Sequence, residues 1–368
     1  MKKYRADTTV ITVDPDHPDE HDIQTAACVL LAGGLVAFPT ETVYGLGANA
    51  LDETAVGRIF AAKGRPFDDP LIVHIAAKPQ VEEVARAIPD IAHTLAEKFW
   101  PGPLTLVLNK HSRVADRVST GLETVAVRMP NHRVPLDLIR VAGIPVAAPS
   151  ANLFTRPSPT SAAHVADDLG GHVDIILDGG PCPIGLESTV LDLTGPKPAI
   201  LRPGGITAEA LQEYFPDLIL SGVSAGGRAS PGMMLKHYSP KARFFLFTGA
   251  RENFAARFRE VIKELLRAEL KVGVMAADED LPIFAGLPIL MENLGPQSDL
   301  DAIGRALFAK MRALDARGAD IILMRAIQAA GLGMAIRDRL IKAAHQQIID
   351  LDKQPEAIIN RLISELSG

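Results

Sequence analysis

The sequence is poor in cysteine and in aromatic residues. Of its 368 residues, two are cysteine, one is tryptophan and 5% are aromatic. Two cysteines are too few for a disulfide framework, and Cys28 and Cys182 lack the close spacing of metal ligands. Residues 1–7 also lack the apolar run of a signal peptide. We therefore expect a reducing compartment, the cytoplasm.

Long apolar runs and a basic excess are also missing. No uninterrupted apolar stretch reaches the roughly 18 residues that a membrane-spanning helix needs, so we expect no membrane association. The formal net charge is −6, whereas proteins that coat nucleic acids usually carry a large positive charge. A local basic pocket remains compatible with this balance.

The composition is that of a globular protein with two domains. Hydrophobic residues make up 47% of the chain, enough for a buried core, and its length suits two domains of roughly 150 residues or more. The composition changes after Phe215, and residues 221–242 are rich in Ser, Gly, Pro and Met. We predict a first domain over 1–217, a linker over 218–242 and a second domain over 243–368.

The pattern of helices and strands differs between the two domains. In the first, short β-rich runs mix with helical segments, one of them spanning 80–99, without strict alternation; this predicts an α/β domain on a twisted, mixed sheet. In the second, strands and helices alternate up to a final helix over 333–349. Such alternation predicts a smaller, Rossmann-like parallel α/β domain.

A polar segment, residues 39–47 (PTETVYGLG), follows the predicted strand 35–38. It is predicted to be a loop, and it contains two hydroxyls, a carboxylate and two glycines. Gly45-x-Gly47-x-x-Ala50 loosely matches a dinucleotide-binding fingerprint. We discount the match because a true fingerprint turns directly from strand to helix. An ordinary turn and a ligand site are both compatible with the segment.

Basic residues and one histidine lie near the predicted ends of helices and strands. Lys63 and Arg65 flank a glycine at a helix end, as either a C-cap or a phosphate clamp. Arg128 ends a strand, which suits either carboxylate binding or a surface ion pair. His74 lies in an apolar strand, where a histidine in the core is the alternative to a ligand contact.

Hydroxyl and amide groups follow other strands. Ser150 and Asn152 come directly after the buried run 145–148, and Ser188 begins the predicted strand 188–193. Because a Gly-x-Ser-x-Gly elbow is missing, Ser150 is expected to bind a ligand rather than act as a nucleophile. With Arg202, this inventory suits a polyanion plus a small zwitterion. A Walker motif and a Cys/His metal cluster are both missing, so neither covalent catalysis nor a protein-held metal is expected.

A series of motifs in one order resembles the threonylcarbamoyl-AMP synthase family, the YrdC-like enzymes, in its long two-domain form. The resemblance covers nearly the whole chain. In the first domain it rests on residues 39–47, 63–66, 70–74, 100–105, 125–130, 148–152, 187–190 and 201–204. In the linker and second domain it rests on residues 230–233, 237–240, 331–335 and 339–340.

The resemblance implies a fold, an activity and partners. It implies a YrdC-like catalytic domain followed by a linker and a C-terminal domain. The implied activity is that of a nucleotidyltransferase that converts L-threonine, bicarbonate and ATP into threonylcarbamoyl-AMP and pyrophosphate. A downstream tRNA threonylcarbamoyl transferase complex would then use this product to modify tRNA, so that direct contact between this chain and tRNA is not required.

The resemblance also implies site residues. The implied threonine-binding set is Thr40 or Thr42, His74, Arg128, Ala148 through its backbone, and Ser188. The implied ATP-binding set is Lys63, Arg65, Asp69, Thr124, Ser150, Asn152, Ser158, Arg202 and Tyr238. The family often has Asn where this chain has Asp69, and an aspartate would repel phosphate unless it faced Mg²⁺ or the ribose.

The implied mechanism relies on positioning and charge. Lys63 and Arg65 would be the catalytic cations, together with Arg202 and a Mg²⁺ ion that enters with ATP and is held mainly by its phosphates. In the linker, His237 and Tyr238 would form a lid over ATP, and a simple spacer is the alternative.

Two other function classes compete with the synthase. One is a YrdC-like RNA-binding or regulatory module without turnover, disfavoured by the acidic balance and the lack of aromatic stacking platforms. The other is a Rossmann oxidoreductase, which rests only on the loose glycine match and on the alternation in the second domain.

Overall fold

The computed structural model of the protein describes residues 8–220, 237–249, 251–352 and 362. Contacts divide the chain into two units. The first comprises Met1–Phe154 and Ser158–Met234, and the second comprises Thr155–Pro157 and Leu235–Gly368. Most of the predicted linker, 221–236, lies outside the described residues.

Twelve strands form one sheet in the described part of the first unit. The strands are β1 Thr9–Thr12, β2 Val36–Phe38, β3 Gly45–Asn49, β4 Ile72–His74, β5 Ala85–Arg86, β6 Leu104–Lys110, β7 Thr124–Arg128, β8 Val146–Ala147, β9 Ile175–Asp178, β10 Thr189–Asp192, β11 Ala199–Arg202 and β12 Ile219–Leu220. The α-helices are α1 Glu20–Leu31, α2 Glu53–Lys63, α3 Val81–Val84, α4 Asp90–Phe99, α5 Asp116–Ser119, α6 Arg133–Ala142, α7 Ala162–Leu169 and α8 Ala208–Gln212.

The sheet is mixed, as predicted. Its strand order is β1-β9-β2-β3-β8-β4-β7-β6-β10-β11-β12, with β5 paired to β6. It contains parallel pairs such as β4 with β7 and antiparallel pairs such as β8 with β4. Neighbouring strands in space are therefore often distant in sequence, which brings separate motifs together.

One face of this sheet carries a hydrophobic core under two helices. Buried residues of α1 and α6, among them Leu30 and Leu138, pack against Phe38 of β2 and Val146 of β8. Val146 pairs with His74 in the neighbouring strand, and paired residues project to the same side of a sheet. His74 therefore lies on the continuation of the face that α1 and α6 cover.

Helix α2 has a defined cap at each end. The Asp52 side chain accepts hydrogen bonds from the backbone N–H groups of Thr54 and Ala55, at 2.8 and 3.2 Å, as expected of an N-cap. At the other end Gly64 adopts a left-handed conformation with φ of 60°, which ends the helix at low steric cost. The cap fixes Lys63 as the last residue of the helix.

Two local predictions for the first unit were wrong. The segment 80–99 is not one helix, because Ala85–Arg86 pairs with β6 and Pro89 precedes α4. The loop predicted to reach Gly47 ends earlier, since β3 begins at Gly45 and runs antiparallel to β2. A Cβ on Gly47 would lie 2.6 Å from a ring carbon of Phe38. Glycine is needed there for close packing, not for binding a dinucleotide.

The second unit carries a smaller parallel sheet, again as predicted. Its described strands are β13 Arg243–Thr248, β14 Val272–Ala276, β15 Leu290–Asn293, β16 Ile321–Arg325 and β17 Ile348–Asp350. They follow the order β15-β14-β16-β13-β17, and every pair is parallel. The helices are α9 Arg251–Arg267, α10 Leu300–Ala316 and α11 Leu332–Ala343, and phenylalanines of β13 and α9 contribute to the core.

The predicted final helix, 333–349, was wrong at its C-terminal end. The helix ends at Ala343, and Ile348–Asp350 forms β17 by pairing with β13. Among the described residues, no helix combines the length and the apolar character that crossing a membrane requires.

Two glycines provide a matched test of helix capping. Gly64 ends α2 with φ of 60°, Gly143 ends α6 with φ of 64°, and a Cβ at either position would have open space around it. Substitution by alanine therefore costs only the left-handed conformation, about 1–2 kcal/mol. We predict that G64A and G143A each lower the midpoint of denaturant unfolding by a similar amount.

Asparagine, which tolerates the left-handed region better, should recover part of the loss at either position. Unchanged midpoints in both alanine variants would show that the caps do not limit stability.

Candidate active site

Several of the predicted site residues, among them His74, Arg128 and Arg202, lie along one face of the first unit's sheet. His74 pairs with Arg128, and along the same face Thr105 pairs with Val190, which in turn pairs with Arg202. Because paired residues project to the same side, side chains from five strands line one surface. Its apolar floor is a small buried cluster, formed by Ile72, Val107, Ala126, Val190 and Leu201.

Arg128 is buried at the carboxyl end of β7 and makes three contacts. Its Nε donates to the carbonyl oxygen of Gly102 at 3.2 Å, and its Nη1 donates to Thr42 Oγ1 at 2.9 Å. Its Nη2 lies 2.6 Å from Glu41 Oε2. The surface ion pair considered from sequence is therefore wrong, since this pair is buried.

The turn between β2 and β3 separates the roles of its two threonines. Thr40 donates to the carbonyl oxygen of Val43 at 2.6 Å and accepts from the backbone N–H groups of Thr42 and Val43. Its hydroxyl therefore holds the turn together. The hydroxyl of Thr42 lies 2.8 Å from that of Thr40 and also accepts a hydrogen bond from Nη1 of Arg128. Thr42 is thus the threonine that contacts the guanidinium, and which of the two hydroxyls contacts a bound threonine stays a prediction.

His74 is a neutral, buried neighbour of Arg128. Burial, together with the positive charge of Arg128, lowers the pKa of His74 to about 3. Its ring meets that of Phe38 edge-on, with centroids 6.3 Å apart. Its Nδ1 is buried and has no hydrogen-bond partner among the described residues. A neutral imidazole can act as both donor and acceptor toward a ligand.

Ser188 and Arg202 form one cluster near the start of β10. Arg202 donates through Nε and Nη2 to the carbonyl oxygen of Ser188, at 3.1 and 2.9 Å, and through Nη2 to its hydroxyl at 3.1 Å. The same hydroxyl lies 2.7 Å from that of Thr105. The predicted threonine-site serine and the predicted ATP-site arginine thus lie in direct contact.

Lys63 ties the end of α2 to the loop after β8. Its ammonium donates to the carbonyl oxygens of Ser150 and Asn152, the latter at 2.6 Å. The backbone of Ser150 also forms an isolated antiparallel β-bridge with Gly45, at the start of β3. The C-cap at Gly64 and the loop 150–152 are thereby held next to each other, so the capping role is observed and the predicted phosphate-binding role stays a prediction.

Arg65 and Asp69 form a second buried ion pair. The Arg65 Nη2 lies 2.9 Å from Asp69 Oδ2, and the guanidinium also donates to the carbonyl oxygens of Asp69 and Pro70. Asp69 therefore neutralises the cation that was predicted to clamp phosphate. The ion pair with Arg65 explains why an aspartate is accommodated at position 69, which the sequence alone did not explain.

The remaining predicted residues lie further apart. Thr124 begins β7, four residues before Arg128, which places the two about 13 Å apart along the strand. Ser158 is fully buried and its hydroxyl donates to Glu187. In the second unit, Tyr238 is buried against Phe308, with ring centroids 5.3 Å apart. The lid function of His237 and Tyr238 stays a prediction.

Sequence reasoning missed Glu41, Thr105 and Glu187 as members of the site. Glu41 was noticed only as a carboxylate in a polar turn. The signal that could have identified it is the acidic residue between two threonines, because a buried arginine elsewhere must find a counter-charge.

The thiol nearest this region is unsuited to covalent chemistry. Burial raises the pKa of Cys182 to about 12, so the thiol stays protonated near pH 7 and is a poor nucleophile. The prediction that binding and charge, not a covalent intermediate, dominate the site stays a prediction.

Comparison with known proteins connects this geometry to a family. Residues 28–204 match the family model Sua5_yciO_yrdC, described as "Telomere recombination". Residues 206–345 match Sua5_C, described as "Threonylcarbamoyl-AMP synthase, C-terminal domain". A threonylcarbamoyl-AMP synthase of Pyrococcus abyssi is 44% identical over 93% of this chain and 99% of its own length. The chain belongs to the threonylcarbamoyl-AMP synthase family.

Other relatives agree with this membership. A threonylcarbamoyl-AMP synthase of Bacillus subtilis is 42% identical over 95% of this chain and 99% of its own length. The crystal structure of Pyrococcus abyssi Sua5 complexed with L-threonine matches with a TM-score of 0.86, covering 93% of this chain and 99% of that one. The resemblance recognised from sequence is confirmed. The family is one of enzymes, which favours catalysis over an RNA-binding module without turnover.

The environment of His74 predicts its titration behaviour. Because burial and the neighbouring Arg128 both disfavour the protonated ring, His74 should stay neutral from pH 5 to pH 9. The measurement is the ¹³C-labelled imidazole signal by NMR, assigned through its loss in H74Q. A midpoint between pH 6 and 7 would contradict the buried position beside the guanidinium.

Proposed function

We propose that this chain is an L-threonylcarbamoyladenylate synthase, a nucleotidyltransferase. It would make threonylcarbamoyl-AMP and pyrophosphate from L-threonine, bicarbonate and ATP. The observation that carries the proposal is the buried Arg128, flanked by Thr42 and His74, in a chain that matches such synthases over nearly their whole length. A downstream tRNA threonylcarbamoyl transferase would use the product.

Arg128 would bind the carboxylate of threonine. A guanidinium matches a carboxylate in geometry and charge, and this one is held by Gly102 and Thr42. The neutral imidazole of His74 and the hydroxyl of Ser188 would provide further hydrogen bonds. With the carboxylate fixed, the amino group of threonine is held in one orientation for reaction.

The reaction would proceed in two steps. In the first, the ammonium of threonine gives one proton to solvent, and the resulting neutral amine attacks the carbon of bicarbonate; a C–N bond forms, a C–O bond breaks, and water leaves with a second amine hydrogen, giving a carbamate. A carbamate oxygen then attacks the α-phosphorus of ATP, and the bond to the β-phosphate breaks, releasing pyrophosphate. Reactions of this type depend mainly on alignment and charge neutralisation.

The positive charge would come from residues at both ends of the sheet face. Lys63 holds the loop 150–152, and Arg202 lies beside Ser188. Because Arg65 is paired with Asp69, part of its charge is already neutralised, and Arg65 would contribute less to phosphate binding than an unpaired arginine. Mg²⁺ would accompany ATP and supply electrostatic stabilisation of its phosphates. In the described residues, no group of three or more His, Cys, Asp or Glu side chains is arranged to hold a metal.

The direct test is turnover. We predict that the full chain, incubated with ATP, L-threonine and bicarbonate, releases pyrophosphate only when threonine is present. A coupled pyrophosphate assay with mass spectrometry of the adenylate checks both products. Release at the same rate without threonine would contradict the proposed function.

Two substitutions should affect different substrates. R128A should raise the KM for threonine about 10- to 100-fold, the range for loss of a hydrogen bond to a charged group, with little change for ATP. K63A should raise the KM for ATP with little change in the KM for threonine, because the ammonium of Lys63 organises the loop 150–152. R140A is the control, since Arg140 is exposed and paired with Asp137 on α6. Equal losses for both substrates in R128A would contradict its assignment.

A further inference from the structure

The ion pair between Glu41 and Arg128 is close but incompletely hydrogen-bonded. Glu41 Oε2 lies 2.6 Å from Arg128 Nη2, and both side chains are at least nine-tenths buried. Among the described residues, neither carboxylate oxygen of Glu41 makes a hydrogen bond of acceptable geometry. The same holds for Nη2 of Arg128. The two charges thus neutralise each other, while the acceptor positions of Glu41 and the donor Nη2 of Arg128 remain without aligned hydrogen bonds.

Such an arrangement favours a ligand that can use this capacity. Buried charged atoms without aligned hydrogen bonds are costly. A donor would satisfy the carboxylate oxygens of Glu41, and an acceptor would satisfy Nη2 of Arg128. An α-amino acid offers both, an ammonium and a carboxylate, on adjacent atoms of one carbon.

The other groups around Glu41 leave the pair neutral overall. Thr40 donates to the carbonyl oxygen of Val43, so its proton is not available to Glu41. The titratable side chains of His132 and Cys182 interact electrostatically with Glu41. Burial lowers the pKa of His132 and raises that of Cys182, so both are uncharged at pH 7. Among these four side chains the charges of Glu41 and Arg128 therefore cancel.

A neutral pair is matched by a ligand whose own charges cancel. A zwitterion adds no net charge to the buried site. A ligand with only a carboxylate would add a negative charge to the site, and a ligand with only an ammonium would add a positive charge. Either added charge is unfavourable in a buried environment.

We propose that Glu41 binds the α-ammonium group of the amino-acid substrate while Arg128 binds its carboxylate, so that the pair selects zwitterions. This inference rests on the proposed function, which supplies the amino acid and the role of Arg128. It adds a second specificity-determining residue, Glu41, that recognises the group on which the new bond is formed.

The test compares ligands that lack one charge. Calorimetric titration of the full chain would measure L-threonine, 3-hydroxybutanoate, which lacks the amino group, and threoninol, which lacks the carboxylate. In the natural protein we expect threonine to bind about 10- to 100-fold more tightly than 3-hydroxybutanoate. In E41Q the affinities for the two ligands should differ by no more than about threefold. We expect weaker binding of threonine and unchanged or tighter binding of 3-hydroxybutanoate.

Matched variants separate recognition from structure. E97Q makes the same change at an exposed residue of α4 that pairs with Lys78, and it should keep the natural ratio. R128A should mainly weaken the two ligands that carry a carboxylate and spare threoninol. E41D keeps the charge but shortens the side chain, so its ratio should lie between those of the natural protein and E41Q.

The outcomes are distinguishable. An unchanged ratio in E41Q would overturn the inference. Equal weakening of threonine and 3-hydroxybutanoate, with ATP binding intact, would make Glu41 only a structural partner of Arg128 and would also overturn it. If E41Q does not fold, E41D decides, and the natural ratio in E41D contradicts the inference. Failure of the natural protein to bind threonine would instead contradict the proposed function.

Discussion

A permanent positive charge inside the first unit determines much of what surrounds it. Arginine does not lose its proton in proteins, so the buried guanidinium of Arg128 must be neutralised and hydrogen-bonded where it lies. The turn between β2 and β3 supplies the carboxylate of Glu41 and the hydroxyl of Thr42, and Gly102 supplies a carbonyl oxygen. The same charge helps to keep His74 unprotonated. The conformation of the turn and the state of the imidazole are thus consequences of one residue.

The surroundings of Arg128 and Lys63 differ in the groups that contact each cation. Around Arg128 a carboxylate lies against the guanidinium without aligned hydrogen bonds. The ammonium of Lys63 donates to the carbonyl oxygens of Ser150 and Asn152, which belong to the loop after β8. The carboxylate and guanidinium beside each other suit a small molecule that carries both charges. In the proposed function this molecule is the amino acid, and the loop held by Lys63 would contribute to the nucleotide site.

Fold class was predictable because it depends on short-range patterns. Hydrophobic runs revealed most strands, and polar residues at the ends of those runs drew attention to Arg128 and Ser150, whereas residues such as Thr124 and Ser158 were named only through the family resemblance. The pairing of Glu41 with Arg128 was not predictable from those patterns. It requires the register between β4 and β7 and the exact exit of β2, which long-range pairing determines. The same reason explains the errors at 80–99 and 333–349, where two or three residues joined a sheet although their neighbours favour a helix.

The alternation of side chains along β7 has a consequence for length variation in this chain. Successive residues of a strand point to opposite faces, so one residue inserted or deleted within β7 would turn Arg128 away from the apolar floor without altering its chemical neighbours in sequence. Turns that carry no residue of the site have no such parity, and they absorb added residues at small cost. Changes in chain length compatible with the site are therefore confined to the connections, and the strands that carry it must keep their residue count.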